Sequence, residues 1–206
     1  MRRRRALAAF GTLSVGAIAG CLGRSSLPLG PEADPHPRRV SVARVDTLPD
    51  DVAFAIDAEL PTPTATDRHP ATLVLTARNL GAKRAISVGV DGCRPFNRSR
   101  GRSENGGLWL YGARDEPEPR VDGRWEYDPD GPFGYPAYGW ARRVWVAGES
   151  QTYVYSVWDD PETEGYYESG THRWTHSVST APPESEMDAE PTAQATWGLE
   201  LRVEDA

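Results

Sequence analysis

Cysteine, lysine and long apolar runs are all scarce in this sequence. Two cysteines, Cys21 and Cys93, stand among 206 residues, which excludes the dense disulfide framework that holds many small secreted domains together. Lys83 is the only lysine. The longest apolar run lies near the N-terminus and is too short to cross a bilayer as a helix. Any folded domain must therefore be stabilised by a hydrophobic core.

Motifs of the common enzyme classes are also lacking. The sequence contains no Gly-x-Ser-x-Gly elbow, Walker loop or dinucleotide-binding fingerprint. His172 and His176 have the spacing of a zinc-protease helix, but Arg173 stands where that motif needs a glutamate. On a strand, the two histidines would share a face and lie roughly 13 Å apart. We therefore expect no catalytic residue, metal or cofactor.

Acidic residues outnumber basic ones, by 30 to 23, so the net charge is −7. Such a balance argues against nucleic acid as a partner. An acidic chain with arginine in place of lysine resembles the secreted proteins of halophilic archaea, which stay soluble in high salt through hydrated carboxylates. A GC-rich genome alone would explain the arginines but not the acidity.

Residues 1–20 have the pattern of a secretory signal peptide. Four arginines precede a short apolar stretch, which closes with Ile-Ala-Gly before Cys21. These last four residues have the form of a lipobox. We expect export, for which the paired arginines permit the twin-arginine route, and a lipid on Cys21 that anchors the chain to the outer face of the cell membrane. The alternative, a short buried helix or a stop-transfer anchor, is disfavoured by three glycines in the stretch.

Residues 21–39 are rich in proline and glycine and can form no core, so they are interpreted as an extended spacer after the lipidated cysteine. From residue 40 onward the dominant hydrophobic period is two, which predicts strands. The nine predicted strands span residues 40–45, 52–60, 73–77, 85–90, 108–111, 143–146, 152–158, 171–179 and 196–203. We expect residues 40–206 to form an antiparallel, immunoglobulin-like β-sandwich of about seven to nine strands that closes with the C-terminal strand.

Four short motifs within residues 71–178 carry a resemblance to a known family. They are Leu73-Val74-Leu75-Thr76 leading to Asn79, Val144 with Val146-Ala147-Gly148-Glu149-Ser150, Thr152-Tyr153 leading to Trp158-Asp159, and Gly165 with Ser169-Gly170-Thr171. In order and spacing they resemble the intracellular proteinase inhibitor family of bacilli and its relatives in archaeal lipoproteins. The resemblance implies an immunoglobulin-like fold and protein binding. His172 stands where that family tends to have an aromatic residue.

A long insertion, residues 112–141, is the predicted functional surface. It is rich in glycine and proline and too long for an ordinary hairpin connection. Its aromatic residues are Trp125, Tyr127, Phe133, Tyr135, Tyr138 and Trp140. Aromatic side chains on such loops offer large contact areas to proteins or sugars at low entropic cost. The alternative is that these rings fold back and cap an open end of the sandwich.

Three further features bear on the surface of the domain. Asn97 begins an Asn-x-Ser glycosylation sequon, and if it is occupied the loop of residues 92–107 should face solvent. Cys93 is expected to be a partly buried, unpaired thiol. Four carboxylates within residues 158–165 could hold a hard cation weakly, but a solvated acidic turn is the favoured interpretation.

The leading functional hypothesis is a membrane-anchored extracellular lipoprotein that binds a protein or glycan through residues 112–141. An inhibitor of extracellular proteases is the second hypothesis, and a purely structural envelope component is the third. An enzyme is not expected, because no residue pattern supports catalysis.

Overall fold

A computed structural model of the chain describes residues 37–88, 94–96, 100–112, 124–126, 142–186 and 189–206. All of these residues belong to one compact unit, Asp34–Ala206. The predicted signal peptide and Cys21 therefore lie outside the described residues, as does nearly all of the spacer. Among the described residues, none lies in a helix long and apolar enough to cross a membrane.

Ten β-strands and no helix are formed by the described residues. The strands are β1 (Arg38–Val45), β2 (Phe54–Thr62), β3 (Thr64–Ala65), β4 (Ala71–Asn79), β5 (Arg84–Val88), β6 (Leu108–Gly112), β7 (Arg143–Trp145), β8 (Ser150–Asp159), β9 (Gly170–Ala181) and β10 (Ala193–Asp205). Sheet A has the order β3-β1-β10-β9-β5-β7, and sheet B has the order β2-β4-β8-β6. All neighbouring strands are antiparallel. The prediction of an all-β fold with two antiparallel sheets is confirmed.

The period-two pattern explains which side of each strand is buried. In β4, Leu73 and Leu75 are fully buried, while Val74 between them is only partly buried. In β10, Leu201 is fully buried and Arg202 is exposed. Successive side chains of a strand point to opposite faces of the sheet. Each strand therefore gives one apolar row to the core.

Aromatic rings join the two sheets. Phe54 of β2 meets Trp145 of β7 edge to face, with 5.3 Å between the ring centroids. Phe96 lies between Tyr155 of sheet B, at 5.5 Å, and Trp174 of sheet A, at 6.1 Å. All five side chains are buried. Since burial of a large apolar side chain contributes about 1.5 to 3 kcal/mol, this cluster is a main source of stability.

The strand pairing brings two turns together at one end of the sheets. Leu108 at the start of β6 pairs with Asp159 at the end of β8. Residues 100–107 and 160–169 therefore meet at this end, which we call the acidic end because it exposes Glu162, Glu164 and Glu168. Arg38 pairs with Asp205, so the chain enters the fold at the same end.

Each of the nine predicted strands corresponds to a strand of the structure, with small differences at the ends. The tenth strand, β3, was not predicted because two residues are too few to show a period. The C-terminal strand does not close an edge: β10 lies inside sheet A, between β1 and β9. One partner, β9, directly precedes β10 in the chain, but the other, β1, comes from the opposite end of the domain, and local sequence does not reveal that pairing.

Candidate binding site at the acidic end

Asp160 fastens the two turns of the acidic end to each other. Its side chain is fully buried. The Arg102 Nε donates to one carboxylate oxygen at 2.7 Å, and the Glu162 N–H donates to the other at 3.2 Å. The backbone N–H of Asp160 also donates to the Gly107 carbonyl at 3.3 Å. Because a buried charge that loses its partner is strongly destabilising, these bonds fix how the turns meet.

Asp159, the residue before Asp160, is also buried, and it holds a strained residue in place. The Asp159 Oδ1 accepts a hydrogen bond from the Tyr167 N–H at 2.6 Å. Tyr167 has φ 48°, which is uncommon for a residue other than glycine. Its hydroxyl donates to the Val157 carbonyl, so the strained conformation is held from both sides.

Burial raises the pKa of Asp159 to about 7, because the charged form loses its hydration. The hydrogen bond from Tyr167 acts in the opposite direction, while the charges of Glu126 and Asp160 raise the pKa further. Burial also raises the pKa of the neighbouring Tyr166. The carboxyl group of Asp159 is therefore largely protonated in mildly acidic solution.

His172 connects the same two turns to β9. Its ring is almost fully buried, with the Nδ1 2.9 Å from the Gly106 carbonyl oxygen and the Nε2 3.0 Å from the Glu168 carbonyl oxygen. Gly107 packs against the ring: a Cβ atom at that position would lie 2.6 Å from the His172 Cε1. Gly107 also has φ 86°, so both space and backbone conformation require glycine there.

Trp125 docks the insertion onto this end. Its Nε1 donates to the Thr66 carbonyl at 2.7 Å, and its ring meets Trp158 edge to face at 5.4 Å. Its backbone carbonyl accepts from the Asp159 N–H at 2.6 Å, and its N–H donates to the Tyr166 hydroxyl at 2.8 Å. The middle of the insertion is thus fixed to β8 and to the turn that follows it.

The residues on either side of Trp125 add charged contacts. The Arg124 guanidinium lies over the Tyr166 ring, 5.3 Å from its centroid, and its Nη1 is 3.3 Å from the Glu126 carboxylate. Glu126 forms an isolated parallel bridge with Asp159. Cations over aromatic faces are attracted by the ring quadrupole. These contacts orient the segment of residues 124–126.

An aromatic layer covers the outer face of sheet B near the acidic end. Trp109 and Trp158 pair across β6 and β8, on the face opposite to the core residue Leu110. Tyr111 lies 5.3 Å from Trp158 and stacks on Trp109 at 6.4 Å. All three outward rings are buried. The insertion residue Trp125 packs onto this layer.

Trp125 was predicted to belong to an exposed binding surface, and here the structure differs. Its side chain is buried, because the outward ring of Trp158 offers it an apolar partner and the Thr66 carbonyl accepts from its indole N–H. The Trp125 ring therefore packs on the outer face of sheet B. The other predicted surface residues, Tyr127, Phe133, Tyr135, Tyr138 and Trp140, lie outside the described residues.

The remaining site predictions have different outcomes. Cys21, Cys93 and Asn97 lie outside the described residues. The loop of residues 92–107 does not face solvent as a whole, since Phe96 and Ser103 are buried.

His172 and His176 lie on one face of β9, as expected for a strand, with Trp174 between them. Burial lowers the pKa of His176 to about 4, so this histidine is neutral near pH 7.

The interpretation of residues 158–165 as a solvated acidic turn is wrong for its two aspartates. Asp159 and Asp160 are buried, whereas Glu162 and Glu164 are exposed. Asp160 leaves solvent because Arg102, which comes from a different turn, pairs with it. No local pattern predicts that pairing. The signal that could have been used is the position of both aspartates directly after the apolar pair Val157 and Trp158.

One cleft of about 300 Å³ lies beside β8 and is lined by Arg94, Gly112, Gln151, Thr152, Tyr153, Val154 and Tyr155. The described residues contain no group of three or more His, Cys, Asp or Glu side chains placed to hold a metal ion. Among these residues, the acidic end is the place where the insertion, charged groups and aromatic rings come together.

Comparison of the chain with protein-family models, with curated proteins and with solved structures gave no match.

Proposed function

We propose that the chain is a membrane-anchored extracellular lipoprotein whose β-sandwich binds a protein or glycan through the insertion of residues 112–141. The lipobox that ends at Cys21 supports export and anchoring. The resemblance to the intracellular proteinase inhibitor family supports an immunoglobulin-like fold for residues 40–206. The strand orders β2-β4-β8-β6 and β10-β9-β5 support it too, because they match the two sheets of that fold.

The observation that carries the proposal is the attachment of the insertion at Trp125. The buried indole ring, its bond to Thr66 and the bonds to Asp159 and Tyr166 hold the insertion at a point near its middle. Ordering a loop before it binds reduces the entropy lost on binding. Attachment at residues 124–126 shortens the free segments of a glycine- and aromatic-rich insertion, which favours recognition through it.

The test separates recognition from folding by leaving Trp125 in place. In one variant, Tyr127, Phe133, Tyr135, Tyr138 and Trp140 are all replaced by serine. The mature domain and this variant are immobilised and exposed, in high salt, to solubilised envelope and secreted fractions of the producing cell. Bound proteins and glycans are identified by mass spectrometry, and thermal unfolding is measured for both forms.

We expect a partner that the mature domain captures and the serine variant does not, with similar unfolding temperatures for the two. A matched control, Trp125→Phe, keeps the ring packing but loses the bond to Thr66, and it should retain most of the capture. Capture of nothing by either folded form would contradict the proposal and favour a structural envelope role. A serine variant that cannot fold would show that these rings serve the core.

The anchor is tested separately, by Cys21→Ser. Because the Cys21 thiol is the proposed attachment point for the lipid, this variant should move from the membrane fraction to the soluble extracellular fraction. A variant that stays in the membrane fraction would contradict lipid anchoring at Cys21.

Inhibition of extracellular proteases is the second candidate, and the same strand order supports it through the family resemblance. This function requires stoichiometric inhibition of a secreted protease in high salt and resistance of the insertion to cleavage. Rapid cleavage within residues 112–141 by the captured protease would contradict it.

A further inference from the structure

One side of β8 is only partly covered by a neighbouring strand. β8 pairs with β4 over residues 150–157 on one side, and with β6 over residues 155–159 on the other. β6 ends at Gly112, opposite Tyr155. Among the described residues, no strand lies beside residues 150–154 on the side of β6. This stretch is therefore a free edge of sheet B.

The hydrogen bonds of β6 reveal which residues of β8 are directed toward it. The Leu110 N–H donates to the Gly101 carbonyl at 2.8 Å, on the side of β6 that faces away from β8. In an antiparallel ladder, the N–H and C=O groups of successive residues point alternately to the two sides. Tyr111, the next residue, therefore bonds to its partner Ser156 in β8.

The same alternation continues along β8. Val154 and Thr152, at alternate positions before Ser156, direct their N–H and C=O groups to the same side as Ser156. Tyr153 between them is directed toward its partner Leu75 in β4. The described residues provide no backbone partner for Val154 or Thr152 on the free side. Each of the two residues therefore presents one donor and one acceptor to an incoming chain.

The other edge of sheet B is protected in ways that this stretch is not. β2 forms that other edge, carries the exposed residues Asp57 and Glu59, and shifts its register before Thr62. Charges and irregular pairing are means by which exposed edges avoid a further strand. Residues 150–154 are uncharged, and Val154 is 45 % exposed. The edge of β8 is thus suited to accept a strand.

The cleft of about 300 Å³ beside β8 lies along this edge and indicates the charge of its occupant. It is lined by residues 151–155 together with Gly112 and Arg94, and no lining residue is acidic. The Arg94 side chain is partly buried and forms no ion pair with any residue that the structure describes. Guanidinium groups bind carboxylates through parallel hydrogen bonds. The cleft therefore favours an extended peptide that carries an aspartate or a glutamate.

We propose that residues 150–154 of β8 are a binding site for an extended acidic peptide of a partner protein, which adds to sheet B as a strand and places a carboxylate on Arg94. Main-chain bonds to Val154 and Thr152 supply affinity, and Arg94 selects for charge. A second copy of this chain is a poorer occupant, because pairing two β8 edges about a two-fold axis would bring both Arg94 side chains together. The site includes only Gly112 of the insertion and does not depend on the proposed function of that insertion.

Hydrogen exchange of the free mature domain, followed by NMR, tests the edge before any ligand is added. The amides of Thr152 and Val154 should exchange rapidly, whereas those of Gln151 and Tyr153, which are directed toward β4, should be protected. Slow exchange at Thr152 and Val154 in a monomeric domain would overturn the proposal, because the chain itself would then cover the edge. Protection that appears only as a dimer forms in sedimentation experiments would overturn it in favour of a second copy.

The ligand is tested with a display library of random peptides of about seven residues, which are long enough to span the free edge. Peptides selected on the mature domain should alternate apolar and polar residues and carry an acidic side chain. Binding should slow the exchange of the Thr152 and Val154 amides. Because only alternate peptide residues bond to β8, N-methylation should abolish binding at one set of alternate positions and not at the other. A library without binders, or binders that leave both amides unchanged, would overturn the proposal.

Arg94→Gln tests the role of charge, with Arg68→Gln as the matched control. Arg68 is exposed on a turn and does not line the cleft. Arg94→Gln should weaken a selected acidic peptide about tenfold, as the loss of a charge-assisted hydrogen bond predicts, whereas Arg68→Gln should not. The same peptide with glutamine in place of its acidic residue should bind the unmodified domain and Arg94→Gln equally. Unchanged binding of the acidic peptide by Arg94→Gln would contradict the assignment of Arg94. If this variant does not fold, the two peptides are compared on the unmodified domain, where equal affinities would contradict it.

The serine variant of the insertion separates this site from the proposed function. It should bind the selected peptide as the unmodified domain does, even if it captures no partner from envelope or secreted fractions. Loss of peptide binding in a folded serine variant would place the peptide on the insertion and overturn the proposal.

Discussion

Asp159 is a carboxylic acid that the fold places out of water at the end of β8. Its side chain is 2 % exposed, and burial raises its pKa to about 7. In the unfolded chain the same group titrates near its ordinary value of about 3.9. Between these two values the folded state keeps a proton that the unfolded state has released. The contribution of Asp159 to stability therefore falls as pH rises from about 4 to about 7.

Asp159→Asn should remove this dependence while keeping the oxygen that accepts from Tyr167. Relative to the unmodified chain, we expect the variant to gain stability as pH rises, by roughly 3 kcal/mol between pH 4 and pH 8. Denaturant unfolding of both forms at several pH values measures the difference between their unfolding free energies. His176 is present in both forms, so its own pH dependence cancels in that difference. A difference that does not vary with pH would contradict the assignment.

Gly107 is a second residue whose identity is dictated by its surroundings. Gly107→Ala should destabilise the domain, because the new Cβ would meet the His172 ring and because φ is 86°. Gly165→Ala is the matched control, since Gly165 has φ 104° but no atom within 4 Å of the added Cβ. We expect Gly107→Ala to cost about 1 to 3 kcal/mol more. Equal unfolding free energies for the two variants would show that the ring can move aside.

At the scale of elements, Asn79 organises the turns at the opposite end. It is fully buried. Its Nδ2 donates to the carbonyls of Ala82 and Val146, each at 3.0 Å, and its Oδ1 accepts from the Gly81 N–H at 3.1 Å. One side chain thus joins the β4–β5 turn to the β7–β8 turn, although the two are far apart in sequence.

Asn79→Ala should leave these buried backbone groups without partners and lower the free energy of unfolding by about 2 to 4 kcal/mol. Asn79→Asp should be at least as damaging, because a carboxylate can accept from Gly81 but cannot donate to the two carbonyls. Denaturant unfolding measures both effects. Thr76→Ala, on the partly buried outer face of β4, is the control and should change stability little. A small loss in Asn79→Ala would mean that the two turns are held by other contacts.

Part of the insertion belongs to the folded domain. Trp125 packs on Trp158 and is part of the folded domain, although it lies in a segment whose composition is typical of a loop. Because Trp125 is buried, deleting all of residues 112–141 would remove a packing contact of the domain together with the proposed binding surface. A loss of capture could then not be assigned to binding. Substituting the other aromatic residues is the cleaner experiment.

At the scale of the whole molecule, the N-terminal strand completes sheet A. β1 pairs with β10 along its length, and Val40 is fully buried. β10 in turn pairs with β9, so without β1 the backbone of β10 would form an exposed edge of the sheet. An uncovered edge invites association with other chains. The proline- and glycine-rich composition of residues 21–36 predicts no strand that could take this role.

A chain that begins at Asp34 should therefore unfold at the same temperature as one that begins at Cys21. A chain that begins at Asp46, and so lacks β1, should aggregate or unfold at a much lower temperature. Thermal unfolding and size-exclusion chromatography in high salt compare the three forms. A stable, monomeric chain without β1 would contradict the structural role given to that strand.

The sequence by itself determined the strands and their inward faces, because alternation of apolar and polar residues is a local property. Leu73 and Leu75 of β4 point inward, as that alternation predicts. The tertiary structure alone decided the central position of β10, the docking of Trp125 and the burial of Asp159 and Asp160. Each of these depends on a partner distant in the chain, such as β1, Trp158 or Arg102. A local pattern specifies which side of a strand is buried, but not which residue will meet it there.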